Sequence, residues 1–396
     1  MSIRKNKSSL IAVTAALILM SGVCLMLSAC GSGETGTTET IETQENNSEA
    51  VLQDCPVVHK DSKAGVYVQI SIDDFNALGF TYGDSVDIKF SNGYSLTDIP
   101  YFTGYYVEAH KPLLLGYPGK ETIKATINYG NDLWDVAGMR QGDTVSIFMH
   151  EKGKYLEEQE AGDIHYTNQR DDYPSDAVFA NFRNVTVGRI AKKRLYRSAS
   201  PCDNKYNRAA CADDLAAKAG IRYILDLADS DQDIEKYSEQ PDFDSPYFMS
   251  LYKNGNVFPM SVSMNFLDQE FQSILVMALT EMSKKEGPYL IHCTEGKDRT
   301  GYVCMLLEAL CGATYPEIVN DYMLTYDNYY GINEKTDSER YHTIKENNID
   351  VMLGSLVEDE DVNITRADLS EYAKDYLIDC GLSRKVIKRL KVRLMQ

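Results

Sequence analysis

Pro288-Tyr289-Leu290-Ile291-His292-Cys293-Thr294-Glu295-Gly296-Lys297-Asp298-Arg299-Thr300-Gly301 runs from a short apolar segment, through a polar loop, toward a second apolar pattern. Tyr289 to His292 suits a buried strand, and Val303, Leu306, Leu307 and Leu310 trace a helix that Gly312 ends. The same alternation appears upstream. Gly220-Ile221-Arg222-Tyr223-Ile224-Leu225-Asp226-Leu227 reads as a turn and a buried strand, and Phe271, Ile274, Leu275, Ala278 and Met282 form a helical stripe. Strands alternating with helices predict an α/β domain, a central sheet flanked by helices, over residues 176–396.

A five-residue loop between Cys293 and Arg299, set between strand and helix, can wrap its backbone N–H groups around one phosphate. The helix N-terminus adds its positive dipole end. That field lowers the pKa of a cysteine at the loop's start and favours the thiolate nucleophile. Arg299, at the loop's end, can grip two phosphate oxygens with its planar fork. Thr294, Glu295, Gly296, Lys297 and Thr300 are the expected phosphate-binding residues: Gly296 permits the tight turn, Lys297 adds charge that Glu295 partly cancels, and Thr300 Oγ can hydrogen-bond the sulfur. Glu295 is expected to face outward, paired with a nearby Lys or Arg, and His292 to order the loop. Any one of these residues alone fits a buried cysteine beside a helix-capping arginine; the combination points to phosphate-ester chemistry.

These residues resemble the His-Cys-x5-Arg-Ser/Thr signature of protein tyrosine phosphatases and cysteine-dependent lipid phosphatases. The Gly-Lys-Asp-Arg-Thr-Gly ending resembles a bacterial exported subgroup acting on phosphotyrosine and phosphoinositides. Asn181-Phe182-Arg183-Asn184, Arg194-Leu195-Tyr196-Arg197-Ser198-Ala199 and Asp321-Tyr322-Met323-Leu324-Thr325 look like scaffold segments of that subgroup. Asn184 replaces the usual Asp, and Ala228 stands where Arg is usual. The resemblance implies a phosphocysteine mechanism without metal or cofactor: Cys293 attacks, Arg299 stabilises and Asp298 protonates the leaving oxygen. The only Trp is Trp134, and no Trp-Pro-Asp tripeptide occurs. Asp226 is therefore the second candidate acid, with Asp229 and Asp268 behind it. The same chemistry would suit an inositol polyphosphate, in a phytate-like scavenging role; a non-catalytic phospholigand-binding module is the rival from another class, with no use for a nucleophile.

Residues 55–165 read differently. Val66 to Ile72, Val86 to Phe90 and Val145 to Phe148 alternate or run apolar between turn residues, as strands do. Leu78-Gly79-Phe80-Thr81-Tyr82-Gly83-Asp84-Ser85-Val86 recurs as Ala137-Gly138-Met139-Arg140-Gln141-Gly142-Asp143-Thr144-Val145, predicting a pseudo-symmetric small barrel. Its Gly-Asp turns resemble cradle-loop barrels, and Ile127 to Val145 resembles the barrel half of S-adenosylmethionine hydroxide adenosyltransferases. Gly116-Tyr117-Pro118-Gly119-Lys120-Glu121-Thr122 has Glu121 where a nucleotide-binding loop needs Ser or Thr, so it reads as a surface turn. Asp229 to Asp233 lacks the glycine and closing Glu of a calcium loop and reads as a solvated loop.

The N-terminus predicts export. Arg4, Lys5 and Lys7 precede an apolar run from Leu10 to Met20, and Leu27-Ser28-Ala29-Cys30 resembles a bacterial lipobox. Cleavage after Ala29 and lipidation of Cys30 are expected, with residues 30–54 as a flexible acidic linker; 31–50 hold five Glu and no basic residue. The enzyme would then sit on the extracytoplasmic face of the cell membrane. The chain of 396 residues carries 40 Lys+Arg against 59 Asp+Glu, a net charge of −19, which disfavours nucleic-acid partners. Nine cysteines include Cys24 and Cys30, and export permits disulfides, with Cys202 and Cys211 the closest loop pair. The basic run Arg384 to Arg393, interleaved with Val386, Ile387, Leu390 and Val392, predicts a helix with one solvated face, or one that approaches an anionic membrane.

Overall fold

The computed structural model describes residues 50–60, 63–108, 110–266, 268–357 and 362–396. The signal segment and Cys30 lie outside the described residues. Seven strands, β1 (Val51–Lys60), β2 (Lys63–Ser71), β3 (Ser85–Phe90), β4 (Ser95–Phe102), β5 (Pro112–Leu115), β6 (Thr122–Ile127) and β7 (Thr144–Glu151), close into a barrel in the order β1-β2-β6-β5-β4-β3-β7. Closure depends on β1, whose Val51 and Leu52 pair with Phe148 and Ile147 of β7. This corrects the expected linker boundary. Residues 51–54 are strand because the barrel needs them to satisfy the edge of β7.

The internal repeat has a structural basis. Helices Ile72–Ala77 and Leu133–Val136 each lead through a copy into β3 and β7, which pair with each other. In the first copy Asp84 Oδ2 accepts from Thr81 N at 2.6 Å; in the second Asp143 Oδ2 accepts from Arg140 N at 2.7 Å. Gly83 and Gly142, at φ +90 and +95, supply the left-handed turn that places each Asp. Inside the barrel Phe75 and Phe80 stack at 4.2 Å, and Tyr101 meets Phe75 edge-on at 5.2 Å.

A five-stranded sheet follows, from β8 (Arg183–Val185), β9 (Leu195–Ser198), β10 (Tyr223–Asp226), β11 (Val257–Pro259) and β12 (Tyr289–His292), in the order β11-β10-β12-β9-β8. Only β8 runs antiparallel to its neighbour. Central β12 is buried throughout, and the helix that follows, Asp298–Leu310, is buried from Thr300 to Leu310. Helix Gln269–Lys284 buries Phe271, Leu275, Ala278, Leu279 and Met282. Helix Arg384–Met395 buries Ile387, Leu390 and Leu394 and leaves its basic residues outside that stripe.

Two readings change. Ser230 caps helix Asp231–Ser238 and forms a capping box with Asp233, so the acidic segment 229–233 opens a helix rather than a loop. Cys202 and Cys211 form no disulfide, nor do Cys55, Cys293, Cys304, Cys311 and Cys380. The thiol of Cys202 is turned inward against Asp226 and Asp229. The barrel core sets a direct expectation: Phe80→Ala, at a fully buried stacked ring, costs about 3–5 kcal/mol, measured as a lower denaturation midpoint with barrel unfolding followed by Trp134 fluorescence.

Candidate active site

Cys293 stands directly after β12, and Arg299 lies in the first turn of helix Asp298–Leu310, with five residues between them. Gly296 makes the loop possible. Its φ is +68, and a Cβ there would lie 2.2 Å from the carbonyl oxygen of Ser198, at the end of β9. The register that sets His292 opposite Ser198 brings the two backbones together.

The loop's carbonyls are drawn outward into a buried scaffold. Gly296 O accepts from Asn181 Nδ2 at 3.1 Å and Arg197 Nη2 at 3.0 Å, and Arg197 Nη2 also reaches Lys297 O at 3.2 Å. Glu295 O accepts from Tyr329 OH at 2.7 Å, and Thr294 O from Ser200 N at 3.2 Å. Carbonyls bound outward in this way favour a loop whose N–H groups turn inward, the arrangement that binds an anion.

Arg197 is 1% exposed and donates through Nη1 to Asp321 Oδ2 at 2.7 Å; Arg183 Nε meets Asp321 Oδ1 at 3.0 Å and Arg183 Nη1 meets Asn181 Oδ1 at 2.6 Å. Burial alone would raise the Asp321 pKa, but the two guanidiniums outweigh it and bring it down to about 2. A depressed carboxylate stabilises the fold above its ordinary pKa of about 3.9, and that contribution is lost as pH falls toward 2.

The expected site residues come together at this loop. Arg299 Nη2 donates to Thr294 Oγ1 at 3.1 Å and Nη1 to Val262 O at 3.2 Å, so its fork is held across the loop mouth. Lys297 Nζ lies 3.8 Å from Asp298 Oδ2 and over the rings of Tyr326 and Tyr330 at 5.7 and 6.0 Å. Burial works against its charge, yet Asp298, Tyr330 and Glu295 outweigh that and raise its pKa. Asp298 is partly exposed and accepts from Tyr322 OH at 3.3 Å. Thr300 Oγ1 is buried without a hydrogen bond among the described residues. His292 is fully buried, 3.8 Å from Asp226, and burial lowers its pKa to about 3, so it is neutral at pH 7 and out of contact with solvent.

Glu295 differs from its expected place. Its carboxylate accepts from the hydroxyl of Tyr166 rather than pairing outward with a basic residue. Burial would raise its pKa, and the Lys297 charge and the Tyr166 hydrogen bond outweigh burial and lower it. Its carboxylate would repel phosphate, so the side chain is not the phosphate ligand the sequence suggested. Tyr166 stacks on Tyr329 at 5.1 Å and under the Arg208 guanidinium at 5.0 Å. The only hint of these tyrosines in the sequence is their number, 27 in the chain.

Two of the three alternative acids, Asp226 and Asp229, are buried away from solvent, while Asp268 lines the cleft outside the loop. Asp226 is fully buried and accepts from the amides of Ala228 and Asp229 at 3.1 and 3.2 Å; burial and Asp229 raise its pKa. Asp229 is buried against Tyr237 OH at 3.3 Å and Cys202, and desolvation brings it up to about 6. Cys202, Asp226 and Asp229 are the grouping among the described residues with metal-ligand atoms close together. The Cys202 thiol lies 3.9 Å from Asp226 Oδ2 and 3.6 Å from Asp229 Oδ2, and burial pushes the pKa of both Cys202 and Asp226 upward. Asp268 stands at the N-cap of helix Gln269–Lys284.

A family model described as "Tyrosine phosphatase family" matches residues 178–396. A "Tyrosine-protein phosphatase" of Nostoc commune is 27% identical over 210 residues, 46% of this chain and 69% of that protein. Among solved structures, the core catalytic domain of the PP-IP phosphatase SIW14 from S. cerevisiae, in complex with citrate, is 18% identical and covers 47% of this chain and 93% of its own, with a TM-score of 0.25. P. aeruginosa TpbA is 17% identical, with 52% and 88% covered and a TM-score of 0.20. The barrel lies outside the family match.

Two substitutions test how the loop is held. Asp321→Asn leaves Arg183 and Arg197 without their buried carboxylate and costs about 3–5 kcal/mol, read by chemical denaturation at pH 7, with the mutant's deficit shrinking as pH falls toward 2. Gly296→Ala displaces the loop from Ser198 and lowers kcat/KM about 100-fold while far-UV circular dichroism stays that of the parent.

Proposed function

Because the chain belongs to the tyrosine phosphatase family through residues 178–396 and is a cysteine-dependent phosphatase, we propose that it hydrolyses phosphate monoesters, of phosphotyrosine protein or phosphoinositide, through a phosphocysteine formed on Cys293. The observation that carries this reading is the loop between β12 and helix Asp298–Leu310. Its carbonyls are bound outward by Asn181, Arg197, Tyr329 and Ser200, and Arg299 crosses its mouth.

The Cys293 thiolate attacks phosphorus in line, the P–O bond to the leaving group breaks, and its oxygen takes a proton from Asp298. Loop amides and the Arg299 fork hold the three equatorial oxygens. Water then attacks the phosphocysteine, Asp298 takes a proton from it, and Thr300 Oγ, otherwise unpartnered among the described residues, donates to the departing sulfur. Asp298 is favoured as acid because it is partly exposed beside the loop, whereas Asp226 is sealed beneath it. The lipobox reading further places the enzyme as a lipoprotein, anchored through Cys30 on the extracytoplasmic face of the cell membrane.

Phosphate release by the full-length protein in EDTA, on phosphotyrosine peptide, phosphoinositide and phytate, tests the reading. Cys293→Ser abolishes turnover on every substrate and keeps phosphate affinity. Asp298→Asn lowers kcat about 100-fold on a phosphotyrosine peptide and much less on a nitrophenyl phosphate, whose acidic phenol leaves without a proton. Near-wild-type rates in Cys293→Ser defeat the mechanism, and equal losses on both leaving groups defeat the role of Asp298.

A further inference from the structure

The barrel and the phosphatase half enclose a cleft of about 1720 Å³ that reaches the catalytic loop at Glu295, Lys297 and Asp298. Tyrosines line both sides. From the barrel half come Tyr105, Tyr117 and Tyr129, the first two 41% and 48% exposed; from the phosphatase half come Tyr206, Tyr326 and Tyr330. Tyr129 packs against Phe266 at 5.3 Å, which fixes the barrel wall to the phosphatase core. Tyr117 sits in the turn between β5 and β6, close enough to the loop for Lys297, Glu295 and Asp298 to act on its phenol, although burial is the largest influence on it.

The walls of the cleft are acidic, whereas Cys293 and Arg299, which would hold the phosphate, lie outside its lining. The cations of that lining among the described residues are Lys60, Lys120, Lys124 and Lys297, with no arginine or histidine. Lys124 donates to Tyr105 OH at 2.9 Å, and Lys297 is engaged by Asp298. Twice as many carboxylates share the lining, among them Asp135, Glu158, Asp268 and Glu270. Asp135, Glu158 and Glu270 are exposed. Each further phosphate on an inositol ring brings about −1.5 to −2 charges into this acidic field, whereas a single phosphate held inside the loop leaves the walls to attract cations.

We propose that the barrel is the second half of the substrate-binding surface, and that the cleft takes a polypeptide segment in which phosphotyrosine is flanked by lysine or arginine. The inference rests on reading residues 293–299 as the phosphatase loop. The phosphotyrosine ring and neighbouring apolar side chains lie among the tyrosines of both walls, and the basic flanks face Asp135, Glu158, Asp268 and Glu270.

The test compares the full-length protein on two phosphotyrosine peptides, matched except for Lys/Arg or Asp/Glu flanks, and on phytate. The basic-flanked peptide is expected to show at least ~10-fold higher kcat/KM than the acidic one, with the ratio falling as salt is raised. The exposed charge reversals Asp135→Lys and Glu158→Lys, combined, bring that ratio toward one, and Tyr117→Ala raises KM for the peptide more than it lowers kcat. Binding of the same peptides to Cys293→Ser, followed by fluorescence anisotropy, repeats the ranking without turnover, so a failure of the chemistry and a failure of the docking surface are told apart. Equal affinity for both peptides, a ratio untouched by the reversals, or phytate hydrolysed faster than the basic peptide overturns the proposal.

Discussion

The buried contact of Asp321 with Arg183 and Arg197 is the constraint on which the rest of the site depends. Three charges leave water there, and only mutual pairing with good geometry offsets the desolvation. Arg197 also acts on the loop itself, because the guanidinium that satisfies Asp321 takes the carbonyls of Gly296 and Lys297 as well. One side chain therefore couples the helix Tyr315–Tyr330, which carries Asp321, to the curvature of the catalytic loop. Were the loop held by water instead, its amides would be free to turn away, and preorganisation for a dianion would be lost.

The parts that could be read in advance are those written locally. The strand from Tyr289 to His292, the loop with its glycine and the apolar helix after it occupy one continuous stretch, so periodicity and turn chemistry specify them together. The repeated Gly-Asp turns of the barrel are legible for the same reason. What escapes such reading is nonlocal. Val51 and Leu52 look like the end of an acidic tail until β7, far along the chain, is seen to need an edge partner. Glu295 looks like an outward-facing acid until Tyr166 folds over it. The segment 229–233 looks solvated because the capping partner that organises it is a matter of φ and ψ, not composition.

No spacing rule gathers Tyr117, Tyr129, Tyr166 and Tyr330, which come from the barrel, the connection after it and a late helix, yet all line one cleft with Lys297. An aromatic ring with a polar tip suits such a boundary, since its face can be covered by substrate while its hydroxyl stays hydrated or bonded. The barrel thus contributes surface to the phosphatase half without contributing a reacting group.

The strand order has a kinetic consequence. β12, which delivers Cys293, lies between β9 and β10 in parallel pairing, with Tyr289 opposite both Leu195 and Tyr223. Parallel neighbours this distant in the chain cannot form as a hairpin and pay loop-closure entropy before any pairing rewards it. Gly296 gains its contact with Ser198 only once β12 lies beside β9. The cradle around the nucleophile therefore exists only in a chain whose nonlocal parallel pairings are in place.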